Sequence, residues 1–349
     1  MGKRYQGNII SASTVNPSGN LADSTASGVW SLPEAYRFTS EDNWPIAGNF
    51  PRAIVGGGLA GQTYNLNVIQ YVALGSSGDF ADFGDLTTAA EYCGAVSSST
   101  RAVFSHGQDG DSNVLDYVTI ASTGNATDFG DATANHNGLT AALSNATRGL
   151  FQSERNPANT DLIDYITIAS TGNATTFGNL TTGRQDMKNA CSSSTRGLFA
   201  GGRSGGTNYD IIDYVTIASA GNATDFGDLS NTAIFGAGGL SSGTRGVFAG
   251  GERPAGSSQS NVMEYVTIAS TGNVTDFGDL TDARGEADGT SNGTLGIFIG
   301  GKNASSTLLK SVDKITIAST GNATDFGDVT SNYVRRHGAT SSAHGGLQA

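Results

Sequence analysis

The 349-residue sequence predicts an all-β chain: a six-bladed β-propeller over residues 51–349, closed by a C-terminal strand and led by an extended N-terminal arm over residues 1–50. Two observations carry this prediction. The phrase Tyr-Val-Thr-Ile-Ala-Ser or a close variant returns at Tyr71, Tyr117, Tyr165, Tyr214 and Tyr265, with Lys314 in the sixth equivalent position, at intervals of 46, 48, 49, 51 and 49 residues. Such regularity, with small length changes confined to loops, marks stacked or radially arranged units. Composition agrees, because 50 glycines among many Ser, Thr, Asn and Asp residues, with only 6 prolines, make a turn-dense chain without the strict period of collagen.

Each unit repeats four short apolar pieces. In the fourth copy these are 189–194 (NACSSS), 196–201 (RGLFAG), 211–219 (IIDYVTIAS) and 224–229 (TDFGDL). All are rich in β-branched or aromatic residues and bounded by Gly, Asn or Ser, as strands are. Four antiparallel strands in succession make a propeller blade. Between the third and fourth pieces, Ser-Thr-Gly-Asn at 122–125, 170–173, 270–273 and 319–322 supplies the Gly and Asn that a tight hairpin needs.

The ends of the array predict how the ring closes. The first copy starts at its second strand, 52–57 (RAIVGG), and lacks a serine-ended first strand. The last copy overshoots through 336–342 (RHGATSS), which matches the first strand of the other copies, and then Gly345-Gly346-Leu347-Gln348 echoes the start of RGLF. The C-terminus is therefore expected to complete the first blade, leaving no open edge.

Charge and patterning exclude several functions. A net charge of −12 repels nucleic acid and anionic membrane surfaces. No apolar run approaches the length of a membrane span. The basic start MGKRYQGNII lacks the apolar stretch of a secretory signal, and Gln6 stands where a myristoylation signal needs Ser or Thr. Cys93 and Cys191 fall two copies apart, so they read as small core residues rather than a disulfide.

The Gly-Gly doublets at Gly56-Gly57, Gly201-Gly202, Gly250-Gly251 and Gly300-Gly301, each followed by a third strand that carries Tyr in all but the last copy, resemble kelch-type repeats over residues 51–349. The usual kelch Trp is replaced by Phe83, Phe129, Phe177, Phe226, Phe277 and Phe326. With the Gly28-Val29-Trp30-Ser31-Leu32 and Asn43-Trp44-Pro45 segments, the chain is most similar to repeat-bearing structural proteins of tailed bacteriophages. That resemblance implies a virion protein of the tail, assembled in the host cytoplasm, acting as a fibre, nozzle or adhesin component. Trp30, Leu32, Tyr36 and Trp44 are then the expected anchors to other tail proteins, since large aromatics in a polar lead suit a partner groove. The alternative is that the arm folds back on its own propeller.

Other constellations read as structural. Arg52, Arg101, Arg148, Arg196 and Arg245 share one repeat position, with Leu295 in the sixth copy. Five guanidinium groups in a ring fit either an anion site or a clamp between blades, and the regular recurrence favours the clamp. The Asp-Phe-Gly-Asp segments are read as Asx-type turns rather than calcium sites, because the third copy carries Thr176-Phe177-Gly178-Asn179 without a carboxylate. Asn-Ala-Thr at Asn125, Asn173, Asn222 and Asn322 reads as hairpin chemistry, not glycosylation.

No catalytic residue, cofactor or metal is expected from His106, His136, His337 and His344, which lack ligand spacing and a paired nucleophile. A sialidase-like carbohydrate enzyme is the competing class, but its site needs different residues in different blades. A free-standing bacterial interaction scaffold is the third reading. Specificity is expected on the second-to-third loops at 59–66, 106–113, 153–161, 203–210, 253–261 and 302–309, which vary in length and sequence while the opposite hairpins are uniform. The expected ligand is a host-surface glycan or receptor, or another virion protein.

Overall fold

A computed structural model describes residues 51–348 apart from 62–63, 76, 108–111, 137, 153–160, 231–235, 237, 253–258 and 331–334. The chain divides into two units between Phe50 and Pro51. Trp30, Leu32, Tyr36, Trp44 and the rest of the arm lie outside the described residues.

Among the described residues the fold is all-β, with antiparallel sheets arranged as a propeller and one 3-10 turn at Gly345–Leu347. The fourth copy shows the unit. Its strands Asn189–Ser192, Arg196–Ala200, Ile211–Thr216 and Thr224–Asp228 lie side by side in chain order from the inner strand to the outer. The second strand is buried on both faces after its first residue, so a continuous apolar run forms it. The outer strand buries only its Phe, which meets the third-strand Tyr edge-on: Tyr214 and Phe226 lie 6.1 Å apart. Each apolar cluster joins neighbouring copies; Leu198 and Phe226 of the fourth copy pack with Phe248 and Ile268 of the fifth.

The sheets correct the expected count of six separate blades. Four free-standing four-stranded blades are present, formed by copies three to six. The first and second copies instead share one eight-stranded sheet, because Ala81–Ser97 runs as a single 17-residue strand. The connection Leu86-Thr87-Thr88-Ala89-Ala90-Glu91-Tyr92 has no Gly or Pro to interrupt it, whereas the third and fifth copies have Gly183 and Gly285 there.

The C-terminal strand Gly338–Ser341 pairs antiparallel with Arg52–Gly56, in the register Ala53 to Ser341 and Gly56 to Gly338. The following Gly345-Gly346-Leu347 does not begin a second strand. It turns under the central channel, where a Cβ on Gly346 would lie 1.8 Å from the Ser144 carbonyl oxygen.

The Asp-Phe-Gly-Asp segments lie in the outer strands expected at the fourth piece, so their carboxylates stand on strands and not at Asx-type turns. Each carries a bulge opposite the third strand, as between Ile212 and Asp213. Their glycine lets the next copy's hairpin approach: the Gly124 and Ala126 amides donate to the Phe83 and Asp85 carbonyls at 2.8 and 2.7 Å, and the Asp85 amide donates to Asn125 Oδ1 at 3.1 Å. Asn173, Asn222, Asn273 and Asn322 repeat the side-chain bond, and Asp79 makes it at the seam between sixth and first copies. The Asn of Asn-Ala-Thr is thus an inter-copy clasp.

This contact separates two glycines that look alike in sequence. Gly84 (φ +150°) has the Gly124 carbonyl oxygen 2.4 Å from where a Cβ would stand, while Gly124 (φ +156°) has nothing within 4 Å. Gly84→Ala is expected to cost about 2–3 kcal/mol and Gly124→Ala about 1 kcal/mol, read from urea unfolding midpoints. Equal losses would contradict the close approach.

Candidate functional site

The chain alternates direction from strand to strand, so the first-to-second turns and third-to-fourth hairpins share a lower face. The second-to-third loops and the connections between copies share the upper face. The inner strands surround an axial channel whose waist is lined by Ala95, Ala142, Ala190, Gly239, Gly289 and Ala339. Small side chains are required there, since a Cβ on Gly239 would lie 2.4 Å from the Ala190 carbonyl oxygen.

Below the waist, one serine from each copy closes a hydrogen-bonded ring. Ser97 Oγ donates to the Ser341 carbonyl (2.7 Å), Ser341 to Ser291, Ser291 to Ser241 (2.5 Å), Ser241 to Ser192 (2.8 Å), Ser192 to Ser144 (2.7 Å), and Ser144 back to Ser97 (3.0 Å). All six are buried, so the ring pairs carbonyls that would otherwise be stranded on an inner edge. The signal was present in the sequence: a serine ends the inner strand in all six copies, followed by a second serine in four of them and by Asn145 and Asn292 in the other two.

The C-terminal turn plugs the lower end. Gly346 N–H donates to His344 Nδ1 at 3.1 Å, which fixes the proton on Nε2, and Nε2 lies 3.1 Å from both the Ser97 carbonyl and Ser144 Oγ. Burial lowers the His344 pKa to about 4. A cavity of about 50 Å³, room for a few water molecules, runs from His344 up to Lys188 and Asp288.

Above the waist the side chains differ from copy to copy. Buried Lys188 donates to Asp288 Oδ2 at 3.0 Å, to the Cys93 carbonyl at 2.5 Å and to the His337 carbonyl. Burial raises the Asp288 pKa, opposed by the Lys188 charge. At the mouth, Glu286 meets Arg335 (2.7 Å), Arg336 (2.9 Å) and Lys302 (3.1 Å), while Arg336 also reaches Glu91 (2.9 Å) and lies over the Tyr92 ring at 4.4 Å. Burial alone would raise the Glu286 pKa, but Arg336, Arg335 and Lys302 outweigh it and the net shift is downward. Burial pushes the Tyr92 hydroxyl up to about 12 against the pull of Arg336.

Four of the five described non-glycine residues with positive φ stand here: Tyr92, Asp186, Glu286 and Arg336, at 56–60°. Such backbone persists only where the surroundings hold it. The Arg336 amide donates to the Glu286 carbonyl and the Cys93 amide to the Arg336 carbonyl, linking successive copies round the mouth.

The repeated arginines lie elsewhere. Arg52, Arg101, Arg148, Arg196 and Arg245 each stack on their own blade's Tyr at 4.3–4.9 Å, and Nη1 donates to an isoleucine carbonyl of the following copy. Arg and Tyr are lost together in the sixth copy, as Leu295 and Lys314, and there Asn292 Nδ2 reaches the Leu74 carbonyl at 2.7 Å. The guanidinium groups are occupied by contacts between copies.

Missed in the sequence reading were the buried acids of the third strand. Asp213 pairs with Arg184 (3.1 Å), Asp313 with Arg284 (3.0 Å) and Asp116 with His106 (2.9 Å). His106 Nδ1 also lies 3.2 Å from Thr88 Oγ1. In this superficially triad-like group His106 lies beside a buried third-strand carboxylate, as Arg184 and Arg284 do in other copies. Among the described residues no three His, Cys, Asp or Glu side chains converge on a metal site. Cys93 and Cys191 are free and buried.

The fold and this channel define a propeller with an internally plugged axis and a copy-specific polar upper mouth. No protein-family model matches the chain, and no curated protein matches it.

Proposed function

We propose that this chain is a non-enzymatic structural protein of a bacteriophage tail, a fibre, nozzle or adhesin component, whose propeller presents its upper face to a host-surface glycan or to another virion protein. The observation that carries the reading is the contrast between faces. The lower hairpins are uniform and spent on clasping neighbouring copies, whereas the upper mouth presents partly exposed Tyr92 and Arg336 above buried Asp186 and Glu286, from four different copies. A rigid scaffold with one varied face is the arrangement recognition uses. The six-serine ring supports counting the eight-stranded sheet as two blades and the propeller as six.

The residence in a tail rests on the resemblance of the repeat and arm to phage structural proteins, and attachment is assigned to Trp30, Leu32, Tyr36 and Trp44. Purified infectious particles are expected to contain this chain, and lose it when residues 1–49 are deleted. Particles that never contain it, or that retain the truncated form, overturn the residence or the anchor respectively.

One observation favours a second reading, a carbohydrate-active enzyme: Tyr92, Arg336, Glu91 and Glu286 are the residue types a tyrosine-nucleophile glycosidase needs, and they meet at the mouth. Against it, the Arg336 fork is already held by two carboxylates and the Tyr92 hydroxyl is raised rather than activated. Turnover of a sialoside by the intact protein, abolished in Tyr92→Phe, is the result that replaces the binding reading.

A further inference from the structure

We propose that the C-terminal segment is an acid-released clasp: protonation of His337 and His344, which bracket the closing strand Gly338–Ser341, detaches that strand from the first copy and withdraws the plug from the channel. The two histidines sit at the two ends of the one strand that closes the ring, and neither can accept a proton in place. His337 is fully buried, and neither ring nitrogen has a hydrogen-bond partner. His344 uses Nδ1 as the acceptor that holds the Gly346 amide, so a proton there removes the bond that shapes the plug.

The groups facing this segment do not compensate a new charge. Around His337 these are Lys188, whose ammonium repels an imidazolium, Asp288, already engaged by Lys188 and the Ala339 amide, and Cys93 and Glu91 on the long strand, Glu91 being held by Arg336. His106, on the strand behind, is paired with Asp116, and Arg52, on the strand paired with the clasp, is a cation. Among the described residues, the titratable groups that share the cavity with His344 are the Cys191 thiol, itself pushed up by burial, and at the upper end Lys188 and Asp288, which are engaged with each other.

The sign follows from linkage. Burial holds the pKa of His344 at about 4 and that of His337 well below its ordinary value, against about 6.5 in an unfolded chain. Below about pH 6.5 the released segment binds protons that the docked one refuses, so closure weakens progressively as pH falls toward 4. His136 is also lowered to about 4, but it lies at the outer strand of the second copy, away from the clasp.

The test is a fluorophore on Leu347→Cys, the partly exposed residue of the plug turn, in the full chain, feasible because both native thiols are buried. Anisotropy of the label is expected to fall between pH 6 and 4, reversibly, while far-ultraviolet circular dichroism retains its strand signal. In His337→Leu/His344→Gln the midpoint is expected to move down by at least one pH unit. An unchanged midpoint in that variant, or a label that stays ordered to pH 4, overturns the proposal. A wild-type measurement guards against a misfolded variant: imidazole NMR signals of His337 and His344 that titrate fully without release also overturn it.

Discussion

Deleting residues 338–349 is expected to open the ring and destabilise it strongly, while the sheets of the other copies remain formed. The four-residue ladder to Arg52–Gly56 disappears, Ile54 and Val55 lose their cover, and the serine ring is broken on both sides of Ser341. Lost hydrogen bonds contribute about 1 kcal/mol each, and buried carbonyls left unpaired cost more. The sum is on the order of 5 kcal/mol or more, comparable to the whole margin of an ordinary domain. The strand Arg52–Gly56 would also become an open apolar edge, a template for pairing between chains. Urea unfolding and size-exclusion chromatography of the truncated chain check this: early unfolding with self-association is expected. A monomer with an unchanged midpoint would mean that the strand is an accessory.

The largest expected effect of one substitution is at Arg284. Its guanidinium is fully buried, donates to the Gly300 carbonyl (3.2 Å), the Ser311 carbonyl (2.9 Å) and Ser311 Oγ (3.2 Å), and pairs with Asp313 at 3.0 Å. Arg284→Met leaves the Asp313 carboxylate buried, with the Thr281 amide and hydroxyl as its remaining donors among the described residues. Losing one partner of a buried pair costs about 3–5 kcal/mol, and the pair itself contributes much less than that against an uncharged replacement. Arg284→Met/Asp313→Asn is therefore expected to recover most of the loss. Denaturant midpoints of the two variants and the wild type decide it; a double variant as unstable as the single one would show that the carbonyl contacts, not the charge balance, dominate.

The repeat was legible because its spacing is set by columns of side chains that all do the same thing. Tyr117, Phe129 and Arg101 form one stacked unit in their blade, and the same trio recurs in four other copies. Closure was legible because a strand missing at the start reappears at the end. The division into separate sheets was not, since it depends on whether one connection breaks: Leu86-Thr87-Thr88-Ala89-Ala90-Glu91-Tyr92 stays within one strand where the third and fifth copies have glycine. The outer strand was expected at the fourth piece, but its Asp pair was misread as turn chemistry because Asp, Gly and Asn are also turn residues, and only the neighbouring copy's peptide against Gly84 explains why glycine stands inside a strand.

The upper mouth was hidden for a different reason. Glu286 and Arg336 lie one copy apart, and Glu91 and Arg336 almost the length of the array apart. Ring closure alone brings such residues together, so no local motif announces them. The shared position was visible, but its contents differ in every copy, and a search for repeated residues passes over it.

The central claim is a single ring, closed by the chain's own C-terminus, that holds a varied upper face rigid. Native-state amide hydrogen exchange tests it most directly. The amides of Gly338–Ser341 and Arg52–Gly56 are predicted to be strongly protected at neutral pH and to exchange together through one shared opening, while those of Arg196–Ala200 in the opposite part of the array exchange through global unfolding. Fast exchange of the closing strand and its partner, while Arg196–Ala200 stays protected, would contradict closure at that seam.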